Sequence, residues 1–232
     1  MIRHLLAGLA AAALALNAHA SLTPLTYNMV DGAPLHGAYY DNAYNGTSNA
    51  GYLSGGRGDL TDGVTTASVV MGYGAWAPYV LWDGISPVIT FDFGSVHTLS
   101  SVLTYFKFYA SAAVYMPGSM GLRMSDDGVN FGSTQLRTLS DAERTGSDNT
   151  DGVFELLSGP VSGRYLELTL NNGPQNRWLA LGEVVFEGTP GGLAQQALPE
   201  PGTVSLAALA LASLAGLRRK PQRGAEAAEA LR

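Results

Sequence analysis

Alternation of apolar and polar positions dominates the middle of the chain. In Val88-Ile-Thr-Phe-Asp-Phe93, Ile89, Phe91 and Phe93 face one way, and Thr90 and Asp92 the other. In Arg164-Tyr-Leu-Glu-Leu-Thr-Leu170, Leu166, Leu168 and Leu170 point inward, while Tyr165, Glu167 and Thr169 point out. Stretches 98–108 and 179–187 read the same way, enriched in β-branched and aromatic residues. A period of two with one polar face predicts antiparallel sheet with one solvated side. Asp83-Gly84, Asp127-Gly128, Asp151-Gly152 and Asn172-Gly173 read as turns between the runs. No amphipathic stretch of helical period stands out. The pattern predicts an all-β antiparallel sandwich or jelly roll. Segment 39–58 breaks the alternation: it is rich in Gly, Asn, Ser and Tyr and reads as a long ordered loop.

The ends are of another kind. Arg3 and His4 precede a 12-residue apolar run, Leu5 to Leu16, and a small-x-small signal, Ala18-His19-Ala20. The run is short of the ~20 residues a spanning helix needs, so 1–20 reads as a secretory signal peptide cut before Ser21. At the other end, Pro199-Glu200-Pro201 and Gly202 lead into 15 uncharged residues, Thr203 to Leu217, closed by Arg218-Arg219-Lys220. As a helix that run covers about 22 Å, and the two arginines snorkel to reach the interface. The basic stop stays on the cytoplasmic side, which places the preceding domain outside. This order of features resembles the PEP-CTERM sorting tail of exported bacterial proteins. The resemblance implies processing by the membrane protease exosortase and a precursor anchored in the inner membrane of a Gram-negative-type bacterium. The product then reaches the cell surface or the extracellular matrix. The organisation read from sequence is signal peptide 1–20, β-domain 21–188, linker 189–198, sorting signal with hydrophobic helix 199–220, and cytoplasmic tail 221–232.

Charge sharpens the picture. The whole chain has a formal charge of −6, but 21–188 holds 7 basic and 16 acidic residues, a charge of −9. Such a surface repels phosphate backbones, so nucleic acid is not an expected partner. With no cysteine, disulfides, thiolate metal sites and cysteine nucleophiles are excluded. Only His36 and His97 lie within 21–188, too few for a histidine zinc site.

Several motifs fall in a fixed order: Asp59-Leu-Thr-Asp-Gly-Val-Thr-Thr66, Trp82-Asp-Gly84, Ile89-Thr-Phe-Asp-Phe-Gly94, Met124-Ser-Asp-Asp-Gly-Val-Asn-Phe131, Gly163-Arg-Tyr-Leu-Glu-Leu168 and Leu181-Gly-Glu-Val-Val-Phe-Glu-Gly188. Over 58–188 this order resembles the discoidin (coagulation factor V/VIII type C) domain of the galactose-binding-like jelly rolls. The resemblance implies about eight strands, ligand-binding loops at one end, and a structural calcium where the chain's start meets its end. Carried over, Asp62 and Glu183 supply carboxylates, and Leu60, Val64, Thr65 and Thr66 supply backbone or side-chain oxygens. Calcium takes six to eight oxygens at ~2.3–2.6 Å, and a Asp-Gly-x-Thr-Thr turn bends several inward.

Sugar recognition needs aromatic faces and planar polar groups. Tyr73, Trp76 and Tyr79 lie on one loop stretch, Asn176 and Arg177 on another, and these five are the candidate ligand residues. Trp82 and Trp178 sit beside strands and read as core. No pair of carboxylates suits glycoside hydrolysis: Asp126 and Asp127 are adjacent and face opposite ways in a strand. The chain therefore reads as a non-catalytic module for extracellular polysaccharide or other glycan. The alternative is a structural matrix or adhesion protein with no small-molecule site.

Overall fold

The computed structural model describes residues 20–33, 39–66, 78–175 and 177–191. Eleven strands account for the regular structure among them: β1 (Ala20–Leu22), β2 (Thr26–Val30), β3 (Thr47–Asn49), β4 (Tyr52–Gly56), β5 (Val80–Asp83), β6 (Val88–Phe108), β7 (Ser119–Ser125), β8 (Gln135–Thr138), β9 (Thr150–Glu155), β10 (Val161–Asn171) and β11 (Trp178–Thr189). Two short 3₁₀ turns, Asp59–Thr61 and Ala110–Ala112, are the helical pieces among the described residues. The expected all-β antiparallel sandwich is what the chain forms.

The long strand β6 builds both layers. Its first part pairs with β10 and β2 through Val88–Asp92. Its second part pairs with β11 and β9 through Thr98–Phe108. Gly94 sits at the change of sheet with a φ of 79°, a value that glycine adopts without the Cβ penalty. The front sheet runs β3-β4-β2-β6-β10-β7-β8. The back sheet joins β5 and β1 to one edge of β11, then β6 and β9. All pairings between named strands are antiparallel, as one-sided alternation requires.

The core lies between the layers. Ile89, Phe91, Leu166, Leu168 and Leu170 are fully buried, so the inward faces read from the sequence are the ones that pack. Phe186 of β11 bridges the sheets, with its ring 5.0 Å from Phe91 and 5.1 Å from Phe93, both edge-on. Trp82 is fully buried and donates its indole N–H to the Val30 carbonyl at 2.9 Å.

Two local expectations fail. Segment 39–58 holds a hairpin, β3–β4, turning at Ala50-Gly51 with positive φ at both residues. Its strands carry few aliphatics because β3 is wholly exposed at the sheet edge, so no alternation marks them. Asp151-Gly152 is not a turn but the start of β9, where Gly152 opposes Phe106. The signal peptide and the sorting segment with its Pro199, Glu200, Pro201, Arg218 and Arg219 lie outside the described residues.

Candidate functional site

Two places on the sandwich gather the residues singled out from sequence. The first is one end, where connections between strands meet. Gly84 donates its N–H to the Arg177 carbonyl at 3.4 Å, and the Asn172 side chain donates to the same oxygen at 2.7 Å. The Asn172 N–H reaches the Ser86 hydroxyl at 3.0 Å. Trp178 donates to the Ala113 carbonyl at 3.2 Å and accepts from Tyr115 N–H at 2.9 Å. Tyr39 accepts from Leu81 N–H at 3.1 Å, and its ring stands edge-on to Trp178 at 4.9 Å. Four segments of distant sequence are thereby tied into one surface, with Arg177 exposed and Tyr39, Tyr40 and Trp178 half-buried.

Of the five candidate ligand residues, Arg177 lies on this surface. Tyr73, Trp76 and Asn176 lie outside the described residues. Tyr79 is a correction: it is 1% exposed and offers no face to a ligand. Its ring lies on Gly182, where a Cβ would come within 2.8 Å of Tyr79 Cε1. Its hydroxyl donates to Asp151 at 3.2 Å, and the ammonium of buried Lys107, paired with Asp151 at 2.5 Å, stands 5.5 Å from the ring. Tyr79 is thus the lid of a smaller core with Leu81, Val114 and Ala180, against which Tyr39 and Trp178 pack. Periodicity does not show this second core, because it forms on the outer face of the back sheet. Trp178, which reads as core from sequence, is only half-buried, and its edge-on contact with Tyr39 does not follow from periodicity for the same reason.

The second place is where β1 runs beside β11. The 3₁₀ turn Asp59–Thr61 delivers Asp62 and Gly63 to Glu183 of β11. Gly63 N–H donates to Glu183 Oε2 at 3.1 Å, and Val64 N–H to Asp62 Oδ1 at 2.8 Å. Glu183 is 4% exposed. Burial, countered only in part by the Gly63 N–H and reinforced by the facing Asp62 carboxylate, pushes its pKa up to about 8. A cavity of about 220 Å³ opens beside the pair, lined by Ser21, Thr23, Thr61 and Gly63 among others. The Thr61 hydroxyl is buried there with no hydrogen-bond partner.

These residues fit a hard cation. Two carboxylates face each other without a protein cation between them, and an orphaned hydroxyl stands next in the chain. Among the described residues no group of three or more acidic or imidazole side chains is arranged to hold a metal ion, so further donors have to be hydroxyl or carbonyl oxygens. Leu60 is buried in the 3₁₀ turn, Thr65 is half-buried, and Val64 and Thr66 are exposed. Thr61 was not among the residues expected from sequence.

A third group was not foreseen at all. Asp41 and Asp59 are both buried, and the Asp59 N–H donates to Asp41 Oδ1 at 2.8 Å, while the Asn42 N–H donates to Asp59 at 3.2 Å. The hydroxyl of buried Tyr27 donates to the other Asp41 oxygen. Asp31 accepts from the N–H groups of Gly32 and Asp41 at 2.7 and 3.0 Å. Burial first, then neighbouring carboxylates, lifts Asp41 and Asp59 to about 6 and raises the Tyr27 hydroxyl as well.

No family model and no curated protein matches the chain. Solved structures do resemble it. The family 32 carbohydrate-binding module of Clostridium perfringens NanJ, in complex with galactose, is 9% identical with a TM-score of 0.40, over 73% of this chain and 99% of that one. The module CpGH89CBM32-5 of the same organism, in complex with GalNAc-β-1,3-galactose, is 14% identical with a TM-score of 0.40, over 72% and 99%. The C-terminal domain of a chitobiase from Bacteroides fragilis is 16% identical with a TM-score of 0.43, over 73% and 98%.

Proposed function

We propose that the chain is an exported, non-catalytic module that binds extracellular polysaccharide or another glycan at the cell envelope. In this reading an exosortase sorts it through its 199–220 segment, which holds the precursor in the membrane until processing. The observation that carries the reading is that backbone hydrogen bonds and the Tyr39–Trp178 ring contact tie the segments of Tyr39, Gly84, Ala113 and Arg177-Trp178 together at one end of the sandwich. Exposed Arg177 and the half-buried rings of Tyr39 and Trp178 would supply the two things a sugar needs, directed hydrogen bonds and an apolar platform. The acidic surface supports a neutral ligand over an anionic one.

The non-catalytic part of the reading rests on the spacing of the carboxylates beside the cavity. Asp62 and Glu183, the carboxylate pair beside a cavity, are drawn close by the Gly63 N–H, which donates to Glu183 at 3.1 Å. Glycosidic cleavage needs carboxyls about 5–10 Å apart, with room for a sugar between them. We assign this pair, with Thr61 and carbonyl oxygens of the Leu60–Thr66 stretch, to a structural calcium. Bound there, the ion would tie the turn after Asp59 to the final strand and so stiffen the sandwich.

The test is a glycan array probed with the full-length protein in calcium and in chelator. Binding to a defined set of neutral glycans supports the reading. Binding to none in either condition would leave the structural matrix role in its place.

A further inference from the structure

The outward face of the front sheet is laid out in rows that cross the strands. One row is apolar: Tyr52 of β4, Val30 of β2 and Val88 of β6 are 49%, 44% and 42% exposed. Tyr52 opposes Val30 in the register, and the Met29–Ile89 pair sets Val30 beside Val88. The next row is polar: Asn28, Thr90, Glu167 and Arg123 stand side by side on β2, β6, β10 and β7. The third row places Asp92 of β6 beside Tyr165 of β10.

The charges on this face cancel in pairs. Arg123 donates to Glu167 at 2.6 Å, and Arg164 grips Asp92 with two N–H groups at 2.8 and 2.9 Å. Each guanidinium also lies over a ring, Arg123 over Phe131 and Arg164 over Tyr165, both at 4.8 Å. An ordinary solvated sheet face carries unpaired lysine and glutamate. Here the one lysine of 21–188, Lys107, is buried elsewhere. On a domain of charge −9 this is a neutral field of planar donors and acceptors bordered by apolar side chains.

We propose that this face is a second glycan-binding surface, which takes an extended neutral polysaccharide lying across the strands. It shares the glycan reading of the loop end but none of its residues. A cationic partner would seek unpaired carboxylates, and an anionic chain would meet the domain's negative field; a neutral polyol meets neither obstacle. A protein partner needs a broad apolar centre, and here the apolar row is only a border. Neighbouring strands lie roughly 4.8 Å apart, close to the length of one sugar unit, so successive sugars meet equivalent positions on successive strands. Guanidinium and carboxylate groups held by each other and by a ring are already ordered, so a hydroxyl gains its hydrogen bonds without freezing a free side chain.

The test is affinity electrophoresis of the full-length protein through gels containing soluble β-galactan, xyloglucan or mixed-linkage β-glucan, with polygalacturonate as the anionic polymer. The expected result is retardation by at least one neutral polymer and none by polygalacturonate. Tyr165→Ser and Thr90→Lys, the second placing a long charge in the middle of the face, should each weaken that retardation at least tenfold. Arg177→Ala should leave most of it. Melting curves of both face variants confirm that they are folded. Retardation by no neutral polymer overturns the proposal. So does retardation lost in Arg177→Ala and unchanged in the face variants, and in that case the loop end stands as the binding site alone.

Discussion

Two carboxylate pairs in one sandwich have opposite characters: Asp41 and Asp59 are both buried, whereas in the other pair only Glu183 is buried and Asp62 is exposed. Asp41 and Asp59 are surrounded by donors: backbone N–H groups of Asn42 and Asp59, and the Tyr27 hydroxyl. Asp62 and Glu183 face each other beside a cavity, with a hydroxyl near them that has no partner. Burial raises the pKa in both places, so a shifted carboxylate by itself does not distinguish a structural clamp from an ion site. The accounting of donors does. Where N–H and O–H groups converge, the acid ties distant segments together; where they are too few, the charge asks for a cation.

The largest effect should come from dismantling the clamp. Asp41→Ala leaves the Tyr27 hydroxyl and the Asp59 N–H buried without partners. At about 1–3 kcal/mol for each orphaned group, urea unfolding should show a loss of roughly 2–6 kcal/mol. A loss under 1 kcal/mol would mean that the network is ornamental. Next is calcium at the other pair. A hundredfold excess over Kd should stabilise the wild type by about 2.7 kcal/mol, and Glu183→Gln should remove that response while Asp41→Asn keeps it. An equal calcium response in wild type and Glu183→Gln would erase the distinction between the two groups.

The pH profile gives a smaller effect. Asp41 and Asp59 titrate in the folded state near 6, above the ordinary carboxylate value of 3.8. The folded state therefore holds its protons longer than the unfolded one. Their contribution is complete below about pH 4 and is lost as pH rises through about 6. In chelator the protein should be more stable at pH 5 than at pH 7, and Asp41→Asn should flatten that slope. The smallest effect is at Thr61. Thr61→Val removes an orphaned hydroxyl, so in chelator its stability should stay within about 1 kcal/mol of wild type. In calcium it should respond less than wild type, and an undiminished response would take Thr61 out of the ion site.

Much of this fold was legible because burial on one face writes itself into alternation. The inward Ile89-Phe91-Phe93 and Leu166-Leu168-Leu170 sets are cases where local pattern and packing agree. The edge hairpin β3–β4 buries little and so leaves no pattern. Tyr79 looked like a loop aromatic because its burial depends on the bare backbone of Gly182, 103 positions further on. Asp62 and Glu183 were paired by resemblance of motifs, and the Gly63 N–H on Glu183 brings their two segments together. The clamp of Asp31, Asp41 and Asp59 was illegible, since nothing local says that Tyr27 will point at Asp41. Tyr39, Arg177 and Trp178 at the loop end come from segments that only the closed sandwich brings together.

The most direct test of the account is a calorimetric titration of a neutral mono- or disaccharide hit from the array, too short to lie across the strands of the front sheet, into full-length wild type and Arg177→Ala, both in calcium. The account predicts saturable binding by wild type and at least tenfold weaker binding by the variant, with unchanged melting temperature. Equal affinity in the two proteins, or no heat of binding in either, would contradict it.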